Sequence, residues 1–424
     1  MNKKRIVICI IIAALVLVYF ILSLVTKALV NNLPDQLAAD RWVIDGDTRA
    51  AQISLFFTED RQITPNDISK LEYLLEKKMS DAGIVTEEDN DSSGSGSRKI
   101  VDTQKLEDKN KKESEAVPAT EPEKPFSSCY SAQGISTIVF ENKKAENIDT
   151  IGVSGDFFLF HPMELVSGAY FGPDDIMKDR IVIDEELAWQ LFGSNDVAGQ
   201  CVTIGGINHY VSGVVKREEG RLNEAAGLSK SMVYMSYESL ASYGEILSGK
   251  VGSSGSSSTG TSASNSSSSS ATSTSESTQV ETFGGINCYE VVMPDPVEGL
   301  AARLVKESSS LDDRYIVVVD NTLRFSFFSL VNVISGFGVR SMWDKPIFYP
   351  YWENVARGWE DILGFICLIR IICIVIALVL LTYMIIYLYR HKTWTVAGIV
   401  SFLADKKYEF ESRRISMRNS GEQN

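Results

Sequence analysis

The chain has 424 residues, 44% of them hydrophobic, and its 41 Lys and Arg against 55 Asp and Glu give a formal net charge of −14. That length can bury one large or two small domains besides any membrane segments. The acidic balance argues against a main body that binds nucleic acid or anionic lipid through charge.

From the N-terminus, Lys3, Lys4 and Arg5 precede residues 6–25, a charge-free run long enough to cross a hydrocarbon core of roughly 30 Å as a helix. The run is too long for a signal-peptide core, and no A-x-A cleavage site follows it. Cys9 lies inside the run and not at its end, where a lipoprotein anchor would need it. Residues 1–5 are therefore expected to be cytoplasmic and 6–25 to be an uncleaved first transmembrane helix. A second apolar run, 362–389, is followed by Arg390, His391 and Lys392 and by a tail, 390–424, with Lys406, Lys407, Arg413, Arg414 and Arg418. Basic flanks at both places predict cytoplasmic termini and an extracytoplasmic 26–361 in the cell membrane. Residues 1–5 and 389–424 carry +3 each and Arg370 adds one, so the total of −14 leaves −21 between the helices. Trp343, Phe348, Tyr349, Tyr351, Trp352 and Trp359 crowd the outer approach to the second run and read as an interfacial belt, with Trp394 on the inner side. Residues 371–389 alone suffice for a span, which places Arg370 at the outer headgroups.

Within the ectodomain, residues 52–58 read as a strand. Thr64 caps a helix that starts at Pro65 and sets Ile68, Leu71, Leu74, Leu75 and Met79 on one face. A tract rich in charge, Ser and Pro, 87–125, cannot bury enough apolar surface to order itself, and a strand near 135–140 completes a β-α-β unit around it. A middle block, 151–237, contains a short helix capped by Asp184, carrying Leu187, Ala188, Leu191 and Phe192 and stopped by Gly193. Strands 201–204 and 207–211 flank a Gly205-Gly206 hairpin turn, and Gly213 marks a bulge or close approach. A Ser, Gly and Thr tract, 249–278, is a second disordered loop. Residues 288–293 form a strand, Asp295, Pro296 and Glu298 a helix start, Val297, Leu300, Ala301, Leu304 and Val305 a stripe, and 315–319 the last strand. The expected fold class is an α/β (α+β) ectodomain. Two β-α-β units form its membrane-proximal part, and the middle block forms a distal β-rich part.

No catalytic constellation is legible. The chain has no H-E-x-x-H, G-x-S-x-G or C-x-x-C pattern. Of the three histidines, His209 reads as a strand residue, His161 precedes Pro162 in a loop, and His391 lies beside the membrane. Gly244, Gly249 and Lys250 match the first part of a P-loop, but Val251 stands where a hydroxyl would bind Mg²⁺. Asp45 with Asp47, and Asp174 with Asp175, are explained by turn chemistry. Cys129, Cys201 and Cys288 show neither metal-ligand spacing nor a disulfide framework and read as incidental thiols. We therefore expect no enzyme activity and no catalytic, cofactor-binding or metal-binding residues.

One resemblance rests on order and spacing across the middle block. Asp156-Phe157-Phe158, Leu165-Val166-Ser167-Gly168 with Phe171, Arg180-Ile181-Val182-Ile183-Asp184-Glu185, Ala188, Leu191-Phe192-Gly193, Asp196-Val197-Ala198-Gly199-Gln200 and Tyr210-Val211-Ser212-Gly213-Val214-Val215 resemble the extracytoplasmic core of MacB-type ABC-transporter permeases. The resemblance implies a two-part ectodomain without an active site, which carries motion driven by cytoplasmic ATP hydrolysis outward. Family permeases place three helices after this domain, whereas one is legible here, and Ala169 stands where arginine is frequent. The expectation is a non-catalytic, permease-like accessory subunit of an ABC transporter of MacB/FtsX type, whose ectodomain transmits motion or docks partners outside the membrane. Its implied partners are a cytoplasmic ABC ATPase, a fuller permease and the lipid bilayer, in a homo- or hetero-oligomer. The alternative is a membrane-anchored binding or sensing module unconnected to transport.

Overall fold

A computed structural model describes residues 3–42, 49–59, 61–84, 125–249, 284–337, 349–390 and 404–409. Asp45, Asp47, Lys250, Trp343, Phe348, His391, Trp394 and most of both low-complexity tracts lie outside them. The chain divides into two compact units, 1–27 with 366–424, and 28–365.

Among the described residues, two helices are long and apolar enough to cross a membrane, and they belong to the helices Lys3–Asn31 and Tyr351–Arg390. In the first unit Arg370 is bound by the first helix: it donates to Tyr19 Oη at 3.3 Å and Ser23 Oγ at 3.4 Å, with its guanidinium 4.9 Å from the Tyr19 ring. The second helix has 40 residues and begins well before the apolar run. By hydropathy alone its start reads as 362, because Glu353, Arg357, Glu360 and Asp361 interrupt the apolar pattern.

Among its described residues, the second unit is built on an eleven-stranded sheet. Its strands are β1 (Ala50–Phe57), β2 (Ser127–Phe140), β3 (Lys143–Gly155), β4 (Leu165–Gly168), β5 (Arg180–Asp184), β6 (Cys201–Ile204), β7 (Ile207–Val215), β8 (Met232–Ser236), β9 (Glu245–Ile246), β10 (Cys288–Pro294) and β11 (Ile316–Asp320). The order is β11-β1-β10-β2-β3-β8-β5-β7-β4, with β6 pairing β2 and β7, and β9 pairing β2. The two β-α-β units interleave: β1 lies antiparallel between β10 and β11, and β10 between β1 and β2. This is a split β-α-β arrangement. Strands β2 and β3 then run on into the middle block, where β2 pairs β6 and β3 pairs β8.

Both faces of the sheet are covered along β1 and β10, and side-chain alternation assigns residues to each. Ala51, Ile53, Leu55, Tyr289, Val291 and Met293 point to a core shared with the helices Pro65–Asp81, Glu185–Phe192 and Leu300–Ser308. Phe56, Cys288 and Val292 point to the other face, toward Ala38, Ala39, Phe157, Phe160 and Trp352. The local signals resolve in detail. Thr64 and Asp67 form a reciprocal capping box, Asp184 accepts from Leu187 N at 2.8 Å, and Gly193 closes that helix with φ of 76°. At Gly213 the register shifts, and a Cβ there would meet the Ala169 carbonyl oxygen at 2.7 Å. The last β-α-β helix starts later than its sequence suggests, at Leu300. Asp295 accepts from Gly299 N and Ala301 N, and Val297 stays exposed outside the helix.

Residues flanking the serine-rich tract are clasped together. Gly285 N donates to Ser248 O at 2.7 Å, and Ser248 Oγ donates to Gly285 O at 2.8 Å. Replacing 250–283 by a four-residue Gly-Ser linker is thus expected to leave the fold intact. Stability should stay equal or rise by about 1–2 kcal/mol, because closing a shorter loop costs less entropy. A thermal melt of the purified full chain checks this, and a loss of cooperative melting would contradict it.

Candidate functional site

Among the described residues of the second unit, a connected set of buried polar groups lies on the β1/β10 face opposite the helices Pro65–Asp81 and Leu300–Ser308. Period-2 alternation places Gln52 and Ser54 of β1, and Glu290 of β10, on that face among apolar residues. Glu290 is buried, so its carboxylate must find partners or become neutral. His161 supplies one: its Nε2 contacts Glu290 Oε2, and its Nδ1 lies 3.0 Å from Asp35 Oδ1. Ser54 Oγ donates to Glu290 Oε1, Asn321 Nδ2 donates to Ser54 Oγ at 2.7 Å, and Arg324 Nη1 donates to Asn321 Oδ1 at 3.4 Å.

Arg324 continues the chain into the long helix. Its Nη1 and Nη2 donate to Glu353 Oε2 and Oε1 at 2.6 and 2.9 Å, and its Nε donates to Glu360. Arg357 Nε donates to Glu353 at 2.7 Å, and its guanidinium lies 3.7 Å from the Tyr349 ring. Glu353, Arg357 and Glu360 follow i, i+4, i+7 spacing and therefore share one helix face. A bidentate arginine between two carboxylates gives charge-assisted bonds in fixed geometry.

The segment after the first helix is fixed with equal density. Ala38 N donates to Gln52 Oε1 at 2.9 Å, and Gln52 Nε2 donates to Asp35 O at 2.7 Å. Arg41 Nη1 donates to Pro34 O and its Nη2 to Leu159 O, both at 2.7 Å. Aromatic packing closes the arrangement, with the Trp352 ring 4.2 Å from His161 and 5.6 Å from Phe157. The interfacial belt expected from sequence is thus corrected for three residues. Trp352 is buried in the ectodomain, Tyr349 packs edge-on against Phe56 at 5.2 Å, and the Tyr351 hydroxyl meets that of Tyr234 at 3.1 Å.

Burial by itself would lower the His161 pKa, but the Glu290 and Asp35 carboxylates outweigh it and raise it to about 9 from 6.5. The ring is then an imidazolium at neutral pH, donating from both nitrogens. His209 behaves oppositely. It is buried in β7 beside Asp179, its pKa is lowered chiefly by burial, and its Nδ1 faces Ile207 O at 3.1 Å. Asp175 accepts from Gly172 N in its own turn. Burial raises the Cys129 and Cys288 thiols well above their usual range, while Cys201 is exposed, and all three are free. Among the described residues, no group of three or more His, Cys, Asp and Glu is placed to hold a metal ion.

The network ties two strands and a histidine of the ectodomain to the segments adjoining both apolar helices. Sequence reading set His161 aside as a loop residue and did not single out Glu290, Arg324 or Glu353. Two signals were present: a lone acid within the apolar strand Cys288–Pro294, and the i, i+4, i+7 charges before the second apolar run.

A mixed α/β domain in a chain that also has two helices long and apolar enough to cross a membrane is the construction of a membrane protein with an extracytoplasmic domain. The model of the MacB-like periplasmic core domain matches residues 6–282, well over half of the chain, and the chain belongs to that family. It therefore carries the extracytoplasmic domain of a MacB/FtsX-like ABC-transporter permease. Over 98 residues it is 32% identical to the macrolide export ATP-binding/permease protein MacB of Chromobacterium violaceum, a match covering 23% of this chain and 15% of that relative. Among solved structures, the periplasmic region of MacB from Actinobacillus actinomycetemcomitans aligns at 11% identity and a TM-score of 0.35, over 69% of this chain and 94% of that one. The extracellular domain of the noncanonic ABC-type transporter YknZ from Gram-positive bacteria aligns at 14% identity and a TM-score of 0.32, over 63% and 99%.

Proposed function

We propose that this chain is a non-catalytic, permease-type accessory subunit of an ABC transporter, and that its ectodomain passes movement between its membrane helices and partners outside the membrane. The supporting observation is the Asp35–His161–Glu290–Ser54–Asn321–Arg324–Glu353 network. A movement at either end meets charge-assisted bonds and close packing, not a flexible linker, and such interiors switch between discrete arrangements more readily than they deform. Both termini are assigned to the cytoplasm from the basic flanks, where an ABC ATPase and a fuller permease would be met.

The test is crosslinking in native membranes followed by affinity purification of the intact chain. An ABC ATPase is expected among the recovered proteins, and the purified chain alone should hydrolyse no ATP. Exchanging 371–389 for an unrelated apolar span should abolish the association, whereas removing 401–424 should not. Recovery of no ABC component from abundant, intact protein would reject the transport reading in favour of an anchored binding or sensing module.

A further inference from the structure

We propose that the helix Phe327–Gly336 is a membrane-surface helix, whose Phe327, Val331 and Phe328 flank lies in the outer headgroup boundary of the bilayer. It begins cleanly, with Ser326 Oγ accepting from Ser329 N at 3.3 Å. Residues 325–339 contain no charge, a long interval for a chain with 23% charged residues.

One side of the helix is already used. Leu330 is buried, and Phe337, Val333 and Ile334 stand over Gly364 of the long helix, where an added Cβ would meet their side chains at 3.3, 3.5 and 3.7 Å. Gly364 follows Asp361, the last acid before the apolar run, so the helix is held at the level where the long helix turns from charged to apolar.

The adjoining flank is apolar and open at its two phenylalanines, with Val331 half-buried between them. At 3.6 residues per turn, Phe327, Val331 and Phe328 fall within an arc of about 100°. Phe328 is 80% exposed and Phe327 41% exposed. Ser335, on the same arc, donates its hydroxyl to Asn332 O at 2.8 Å and so brings no unmet donor to an apolar medium. An uncharged aromatic flank at the level of the membrane boundary is the chemistry of an interfacial segment. An uncharged contact suits a chain whose stretch between the helices carries a net −21, a charge that anionic headgroups repel. Other exposed apolar residues, such as Ile176 and Trp189, lie in the middle block without that neighbour.

The inference rests on the second apolar helix crossing the membrane, and the experiment separates the two. The full chain is purified with Phe328→p-benzoylphenylalanine and reconstituted in phosphatidylethanolamine and phosphatidylglycerol vesicles. It is then irradiated and its peptides are weighed. Val379 in the apolar run and Val297 in the ectodomain, both exposed, carry the same photoprobe in parallel. The peptide containing 328 is expected to gain the mass of one phospholipid in a yield similar to that at 379, with none at 297. A lipid adduct at 379 but not at 328 would overturn the proposal while leaving the membrane helix in place. A peptide adduct at 328 would overturn it in favour of a protein partner or second copy. Absence of lipid at both positions would remove the membrane placement and the proposal together.

Discussion

Replacing Arg324 with methionine is expected to destabilise the ectodomain by about 3–5 kcal/mol, the range typical of removing one member of a buried ion pair. For a domain of this size that corresponds to a fall of roughly 10 °C in melting temperature. The physical cause is the loss of the cation that Glu353 and Glu360 share in a buried setting, with Arg357 left to serve Glu353. Lysine should restore less than half of the loss, because one ammonium cannot reproduce the two-pronged bond to Glu353 and the third bond to Glu360. Adding Glu353→Gln to the methionine variant should recover part of it by removing a buried charge. A melting temperature for Arg324→Met within a degree of the parent would show that the network adds nothing to stability.

The second large effect is on pH. The folded-state pKa of His161, about 9, is raised above its unfolded value near 6.5, so its stabilisation is complete below pH 6.5 and lost as pH rises through 9. The shift amounts to about 3 kcal/mol, or a fall of roughly 6–12 °C in melting temperature between pH 6.5 and pH 9.5. In His161→Gln the slope over this interval should largely vanish, and the variant should already be destabilised at pH 6.5. Thermal melts of the two proteins across that range check this. A parent whose stability rises from pH 6.5 to 9.5 would contradict a buried imidazolium.

Legibility in the sequence followed the range of the forces involved. Signals carried by a few neighbouring residues were readable: the Thr64-Pro65 start, the Asp184 and Gly193 helix ends, and the Gly205-Gly206 hairpin all fold as their chemistry dictates. Strand β3 escaped notice because its first half, from Lys143 to Asn147, is mostly polar and gains its place by pairing with β2. The first turns of the long helix escaped for a related reason. Their charges are satisfied by Arg324, and hydropathy cannot distinguish such residues from a solvated loop. The network itself was the hardest feature to see. His161 obtains its environment from Asp35 and Glu290, and only sheet order, which no local pattern encodes, brings those two together.

The position of β1 between β10 and β11 sets a schedule for folding. Ile53 is registered against Val291, about 240 residues later in the chain. At a synthesis rate of roughly 5–20 residues per second, β1 waits on the order of 12–50 s for its first sheet neighbour. During that interval a strand rich in apolar residues has both edges open, the condition under which strands pair wrongly with other chains. Newly made copies are therefore expected to be most prone to such mispairing until residues 288–320 have been synthesised and can take up their places beside β1.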